Sequence, residues 1–170
     1  GLSFKPNTDD VRSSVAIRVV EALVAEGADV TVHDPKAMDK ARQLPVASKI
    51  KMAASPLEAI LPPLFDAFTG RTHVPVDFCI DIDASLPAPE DVAIAVYRIA
   101  QETLNNIDRH AGATCVTAHL YRRSGCVRLS IRDDGRGFDP AAVTSDHMGL
   151  DIMRERAEEA SLALTLTSRP

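Results

Sequence analysis

Three stretches of the chain combine residue types at spacings that suit chemistry. In QETLNN, Glu102 and Asn106 stand four residues apart, so on a helix their side chains lie one above the other. Such a pair can hold one cation or one water. It suits magnesium, which takes oxygen ligands, keeps several waters and is usually shared with substrate phosphates. A solvated helix face would look the same. In RDDGRGFD, acids end an alternating run and Gly135 and Gly137 lie just beyond, where glycine permits close backbone approach to a flat ligand. A carboxylate there can accept a hydrogen bond from an exocyclic amine such as that of adenine. The plain alternative is a glycine-rich turn capped by Asp. It is not a dinucleotide fingerprint, because Pro140 stands where the third glycine is needed. In SDHMGLDIMRERAEE, Gly149 precedes a helical run whose first N–H groups are free to receive a phosphate, as at any helix start.

The elements that must position these residues follow from periodicity. GLSFK reads as the end of a strand, and PNTDD as a turn with an Asp or Thr to cap a helix over residues 12–26. Val15, Ile17, Val19, Val20, Leu23 and Val24 recur near a helical period there, and Gly27 supplies the stop. ADVTVH alternates as a strand, residues 36–44 form a short helix, KIKMA a third strand, and SPLEAI begins another helix. LPPLFDAFTGRT reads as a helix with prolines in its first turn, followed by the strand VPVDFCIDI. Residues 84–91 lead into the longest helix, over 92–111. Val92, Val96, Ile99, Ala100, Leu104, Ile107 and Ala111 form its apolar stripe, and Arg98, Glu102, Asn106 and Arg109 the opposite face. Gly112 ends it. A hairpin near RRSG joins two strands, the second with Val127, Leu129 and Ile131 on one face. A helix over 150–160 and a last strand, LALTLTS, complete two α/β units in series.

Composition narrows the class. With 170 residues, 45% apolar and 25% charged, and no apolar run near 18 residues, the chain reads as a soluble cytoplasmic protein with no membrane span. A formal net charge of −5 excludes a general affinity for nucleic acid or anionic membrane. Residues 1–60 are balanced, with 8 Lys+Arg against 8 Asp+Glu, whereas residues 61–170 carry 11 against 16. Cys79, Cys115 and Cys126 have no metal-ligand spacing and read as small buried hydrophobes. Gly1 in place of an initiating methionine marks a fragment or a processed chain.

The order of the motifs raises their weight. RIAQETLNNIDRHAGA, IRDDGRGFD and DHMGLDIMRERAEEA resemble the N box and the two glycine boxes of the ATP-binding domain of nitrate-sensor-like sensor histidine kinases. That resemblance, over residues 61–170, implies the Bergerat-type (GHKL) two-layer α/β fold with its left-handed βαβ connection, and ATP with Mg2+ as ligands. It assigns Asn106 to the magnesium and Glu102, the catalytic candidate, to the metal or its water. Asp133 would bind the adenine amine, Gly135 and Gly137 lie beneath the base, and Gly149 beside the phosphates. Asp146 stands where the family often has glycine, and the chain stops at SRP, before the family's Gly-Gly-Thr segment. His33-Asp34 precedes Pro35, which a helix interior would not tolerate, so it is no phosphoacceptor, and one is expected only from a separate domain in trans.

Residues 1–60, GLSFKPNTDDVRSSVAIRVVEALVAEGADVTVHDPKAM and weakly on through SPLEAI, resemble the C-terminal UDP-binding domain of UDP-glucose/GDP-mannose dehydrogenases. Its FKPNTDD motif carries the nucleotide-sugar contact to Phe4 and Lys5; as bare chemistry Lys5 is a lone solvated cation. The expectation is a chimera: an incomplete Rossmann-like βαβ fragment over 1–60, then the Bergerat-type domain over 61–170. The function expected is an ATP/Mg-binding module that does not phosphorylate itself, the alternatives being a UDP-sugar-binding remnant or a fusion without activity. Open strand edges in the first fragment predict packing on the second sheet or homo-oligomerisation.

Overall fold

The computed structural model describes residues 1–5, 7–82, 89–124, 126–138 and 148–168. They fall into two compact units, Gly1–Ala59 and one beginning at Ile60. The first unit holds α1 (Val15–Ala25), β1 (Thr31–Val32), α2 (Met38–Ala41), a 3-10 turn at Pro45–Lys49 and β2 (Lys51–Met52). β1 and β2 pair in parallel, Thr31 with Lys51 and Val32 with Met52. Leu2, Ile17, Val20, Val32, Ala37, Ala41 and Val46 close its core. Gly27 takes φ +83° after α1, the left-handed stop that glycine makes without strain.

Two expectations fail here. Residues 3–5 form a bend, not a strand end; the Leu2 and Ser3 amides bond the Asp34 side chain and the Phe4 amide bonds Asp10 O, rather than a ladder. Burial and alternation favour a strand only where a neighbouring edge is free to pair, and β1 offers its bonds to β2. The helix also starts later than expected, with Ser14 at the N-cap and no side-chain cap bond, so neither Thr8 nor Asp9 caps it.

The second fold element to differ is α3 (Pro56–Thr72), one helix that runs through Pro62 and Pro63 where two helices were expected. Each proline removes a donor to the carbonyl four residues back, leaving those of Glu58 and Ala59 without an intrahelical partner. Burial of Leu61, Phe65 and Phe68 at 0, 2 and 1% exposure holds the helix regardless, each such side chain contributing roughly 1.5–3 kcal/mol. Ser55 and Glu58 close its start, Ser55 Oγ accepting from Glu58 N at 3.2 Å and Glu58 Oε2 from Ala54 N at 2.8 Å, a variant of the capping box.

β3 (Val76–Asp81), α4 (Glu90–Asn106), β4 (Val116–Arg123), β5 (Cys126–Asp133) and α5 (Met148–Glu159) make the rest. The sheet runs β3-β4-β5, with β3 parallel to β4 and β5 antiparallel to it. Alternation puts Val116, Ala118 and Leu120 on the buried face, where Ala93, Ala100, Leu104 and Ile107 of the α4 region and Leu150, Met153 and Ala157 of α5 are buried too. α5 packs on α4, and Thr103 Oγ1 donates to Met153 Sδ at 3.5 Å. The fold is α/β with a mixed sheet.

Three further expectations are corrected. The long helix does not run regularly to Ala111: α4 ends at Asn106 and a π-helical turn occupies Ile107–Ala111, with Gly112 at φ +61° after it. LALTLTS joins no ladder among the described residues; Leu164 and Leu166 are 39 and 40% exposed, so the alternation there lacks the burial that would fix a strand's register. Cys79 and Cys126 are exposed and Cys115 half-buried, because strand alternation puts 79 and 126 on the sheet face away from the helices.

Candidate functional site

The site is assembled at the C-terminal end of α4. Glu102 and Asn106 are both half-buried there, one turn apart as helix geometry requires. Gly149, in the first turn of α5, sits against both. A Cβ built on Gly149 would strike Glu102 Oε1 and come within 3.7 Å of Asn106 Nδ2. Glycine is needed here for space, and the two oxygen-bearing side chains face an open helix start, where free N–H groups and the helix dipole favour an anion.

The second half of the site is the loop after β5. Register decides which aspartate it presents. Asp133 pairs with Val116, two residues beyond Ile131 opposite Ala118, so it lies on the helix-covered face. Its Oδ1 accepts from Gly135 N at 3.0 Å. Asp134 is consumed by the chain: its carboxylate accepts from Thr114 N at 2.7 Å, Thr114 Oγ1 at 2.6 Å and Cys115 N at 2.9 Å. The Thr114 hydroxyl above all, then the Cys115 and Thr114 amides, hold its carboxyl below the usual range. Of the two aspartates, Asp133 makes the fewer bonds within the described residues.

The helix and the loop are bolted together at the π turn. Arg136 N donates to Ala111 O at 2.9 Å, and Arg136 Nε to His110 O at 2.8 Å. Gly135 lies so close that a Cβ would fall 2.6 Å from Ala111 Cβ and 2.7 Å from Ala111 O. Gly135 is thus required by the fold itself, while Gly137 takes a φ of +64°, a backbone conformation that favours glycine. Phe138 N donates to Ser168 Oγ at 2.9 Å. This lock is what the sequence did not reveal: nothing in HAGA signals a π turn, although π turns recur at functional sites.

Between α4, β5 and α5 lies a cleft of about 420 Å3, lined by Ile99, Thr103, Ile131, Leu150 and Met153 among others. Asp146 and His147 of the third motif, Pro140 of the glycine loop and the proline-rich entry at 84–88 lie outside the described residues. Among the described residues no group of three or more His, Cys, Asp or Glu could hold a metal. Glu102 and Asn106 therefore fit magnesium only as ligands shared with water and phosphate oxygens.

In the first unit, Phe4 is 53% exposed and Lys5 is exposed. Asp34, 3% exposed, holds the segment before them: its Oδ2 accepts from Leu2 N at 2.6 Å and Ser3 N at 3.2 Å, and its Oδ1 from Lys36 N and Ala37 N, both at 2.8 Å. Burial pushes the Asp34 carboxyl up, but the four amides outweigh it and hold it below the usual carboxylate range. His33, its neighbour, follows a strand and bonds Ala53 O through Nδ1 at 3.0 Å. No helix of the described residues is long and apolar enough to cross a membrane.

Comparison with known proteins separates the two stretches. Residues 91–170 match the family of histidine kinase-, DNA gyrase B- and HSP90-like ATPases. Similar curated proteins are the sensor protein VraS of Staphylococcus saprophyticus, 34% identical over 100 residues (59% of this chain, 28% of that protein), and the sensor histidine kinase LiaS of Bacillus subtilis, 34% identical over 96 residues (56% and 26%). The match thus spans under a third of these relatives' length. A similar solved structure is the histidine kinase domain of the Erythrobacter litoralis EL346 blue-light activated kinase, with TM-score 0.55 at 22% identity, covering 67% of this chain and 56% of that one. This likeness supports a Bergerat-type fold. Residues 1–62 match the UDP-binding domain of the UDP-glucose/GDP-mannose dehydrogenase family. The chain therefore joins two stretches similar to two different nucleotide-related families, with a sensor-kinase-like ATPase stretch as the second.

Proposed function

We propose that the second unit is an ATP/Mg2+-binding module of the sensor-kinase type within a chimera divided near residues 60 and 61. The observation that carries this is the meeting of Gly149 with Glu102 and Asn106: a helix start without a side chain faces two magnesium-suited ligands. Asn106 holds the metal, Glu102 the metal or its water, and Asp133 accepts the adenine amine. Gly135 and Gly137 keep the loop low beneath the base, and Gly149 leaves room beside the phosphates. The metal neutralises phosphate charge when bound. A phosphoacceptor domain in trans is the partner for phosphoryl transfer to histidine, and the cytoplasm is the setting.

A second reading rests on the first unit. Asp34 fixes the backbone of Leu2 and Ser3, which leaves Phe4 and Lys5 outward, and these two would contact a nucleotide sugar such as UDP-glucose. Thermal unfolding with Mg-ATP, a non-hydrolysable analogue and UDP-glucose separates the readings. A ligand at 100 times its dissociation constant adds about 2.7 kcal/mol. An unmoved midpoint at millimolar Mg-ATP sinks the first reading, and a shift with UDP-glucose alone establishes the second.

A further inference from the structure

The face of the β3-β4-β5 sheet turned away from the helices carries an ordered charge pattern. Register places Asp77, Thr117 and Arg132 in one row across the three strands, and Asp81, Tyr121 and Arg128 in another. His119 lies at the centre of the row between them, its ring stacked on Tyr121 with centroids 4.7 Å apart. The β3 edge of this face is acidic and the β5 edge basic. These four charged residues are exposed, as is Arg123, which shares this face at the end of β4 opposite Cys126, and none of the five has an ion pair or side-chain hydrogen bond among the described residues.

We propose that this face is a self-association surface on which a second copy of the chain docks, sheet against sheet, about a two-fold axis running along β4. Rotation about that axis exchanges β3 with β5 and leaves each row at its own height. Asp77 then faces Arg132 of the second copy, Asp81 faces Arg128, and both contacts recur by symmetry, while Arg123 beyond the rows meets its own mate and weakens the association. The other two-fold arrangement, with its axis across the strands, puts acid on acid and Arg on Arg. The pattern therefore selects one orientation by repulsion as well as attraction. A partner of a single charge sign would meet repulsion over half the face, which is why the second copy is the occupant the pattern fits.

Geometry permits it. Packed sheets lie about 10 Å apart and align within about 30°, a gap that an Asp from one side and an Arg from the other span together. The His119 and Tyr121 rings meet their symmetry mates near the axis. With strands about 4.8 Å apart, the three rows cover only a few hundred Å2, well below a standard interface of about 800 Å2 per partner. Exposed ion pairs add little strength, so the dimer is weak and salt-sensitive, and the charges set its register.

Sedimentation velocity of the full chain, with and without Mg-ATP, tests this. At about 0.5 mM protein and low salt, wild type should be partly dimeric and should dissociate as salt shortens the screening length to about 3 Å at 1 M. Asp77→Arg with Asp81→Arg leaves only basic charge on the three rows, and Arg128→Asp with Arg132→Asp leaves only acidic charge on them, with Arg123 beyond their end in both. Each doubly substituted chain should be monomeric alone, and an equimolar mixture should recover the dimer. A monomeric wild type, variants as dimeric as wild type, or a mixture that stays monomeric overturns the proposal. If circular dichroism shows a variant unfolded, alkylation of Cys79 in the wild type decides: Cys79 is exposed in the central row, and its rate should fall with protein concentration. A rate independent of concentration overturns the proposal.

Discussion

Gly149 and Glu102 compete for one volume: a side chain on the first would occupy the position of the second's Oε1. Because the obstructing atom is the end of a flexible side chain, Gly149→Ala moves Glu102 rather than the backbone. Ala also favours helix over Gly by up to about 1 kcal/mol. The unliganded midpoint should therefore hold or rise slightly while the Mg-ATP shift is lost. A variant that keeps the full shift in differential scanning fluorimetry would remove Gly149 from the site.

The two adjacent aspartates should part company. Asp133→Ala should abolish the stabilisation by Mg-ATP with little change in the unliganded midpoint, since among the described residues its one side-chain bond is to Gly135 N. Asp134→Ala should lower the midpoint with or without nucleotide, because it strips the acceptor from Thr114 and Cys115. Asn106→Ala should leave ATP binding but remove its magnesium dependence.

Asp34 predicts an acid limit for the first unit. Its folded carboxyl lies below the usual value, so its contribution is fully present above the unfolded value of about 3.9 and is lost as pH falls through the depressed folded value. Asp34→Ala should cost about 2–4 kcal/mol, and Asp34→Asn should recover part of it. If equilibrium urea unfolding of the first unit's probes shows no loss for Asp34→Ala, the four amide bonds are not what fixes residues 1–3.

Ser14 predicts the opposite of the usual capping rule. It occupies the N-cap of α1 without a cap bond, its side chain is 2% exposed, and its Oγ has no partner among the described residues. Ser14→Ala removes a buried unsatisfied hydroxyl, so it should be neutral or stabilising by up to about 1 kcal/mol, where a bonded cap would lose about 1 kcal/mol. A drop in midpoint would show that the hydroxyl is satisfied in solution.

Local patterns made much of this legible. The spacing of Glu102 and Asn106, the stop at Gly27 and the hairpin strands all follow from periods that near neighbours enforce. What escaped depended on partners distant in sequence. Residues 1–5 have the look of a strand, but Leu2 and Ser3 give their amides to Asp34 and Phe4 gives its amide to Asp10 O, and LALTLTS alternates without a ladder to hold it. Pro62 and Pro63 signalled a helix start, and the burial of Phe65 and Phe68 overrode that signal. The preference for Asp133 over Asp134 was drawn from the resemblance; the bonds of Asp134 to Thr114 and Cys115 depend on a strand start distant in sequence and were not legible beforehand. The cysteines were misplaced because their surroundings depend on which sheet face the helices cover.

The π turn at Ile107–Ala111 is in effect one residue more than a regular helix of that length needs. Each helical residue turns the chain by about 100°, so deleting a single residue there could still leave a smooth helix through Gly112. It would also swing the Ala111 carbonyl away from Arg136 N and the helix end away from Gly135. Evolution could lose the site by a one-codon deletion that no test of helix content or core packing would notice, and a designer wishing to build such a site must insert that residue on purpose.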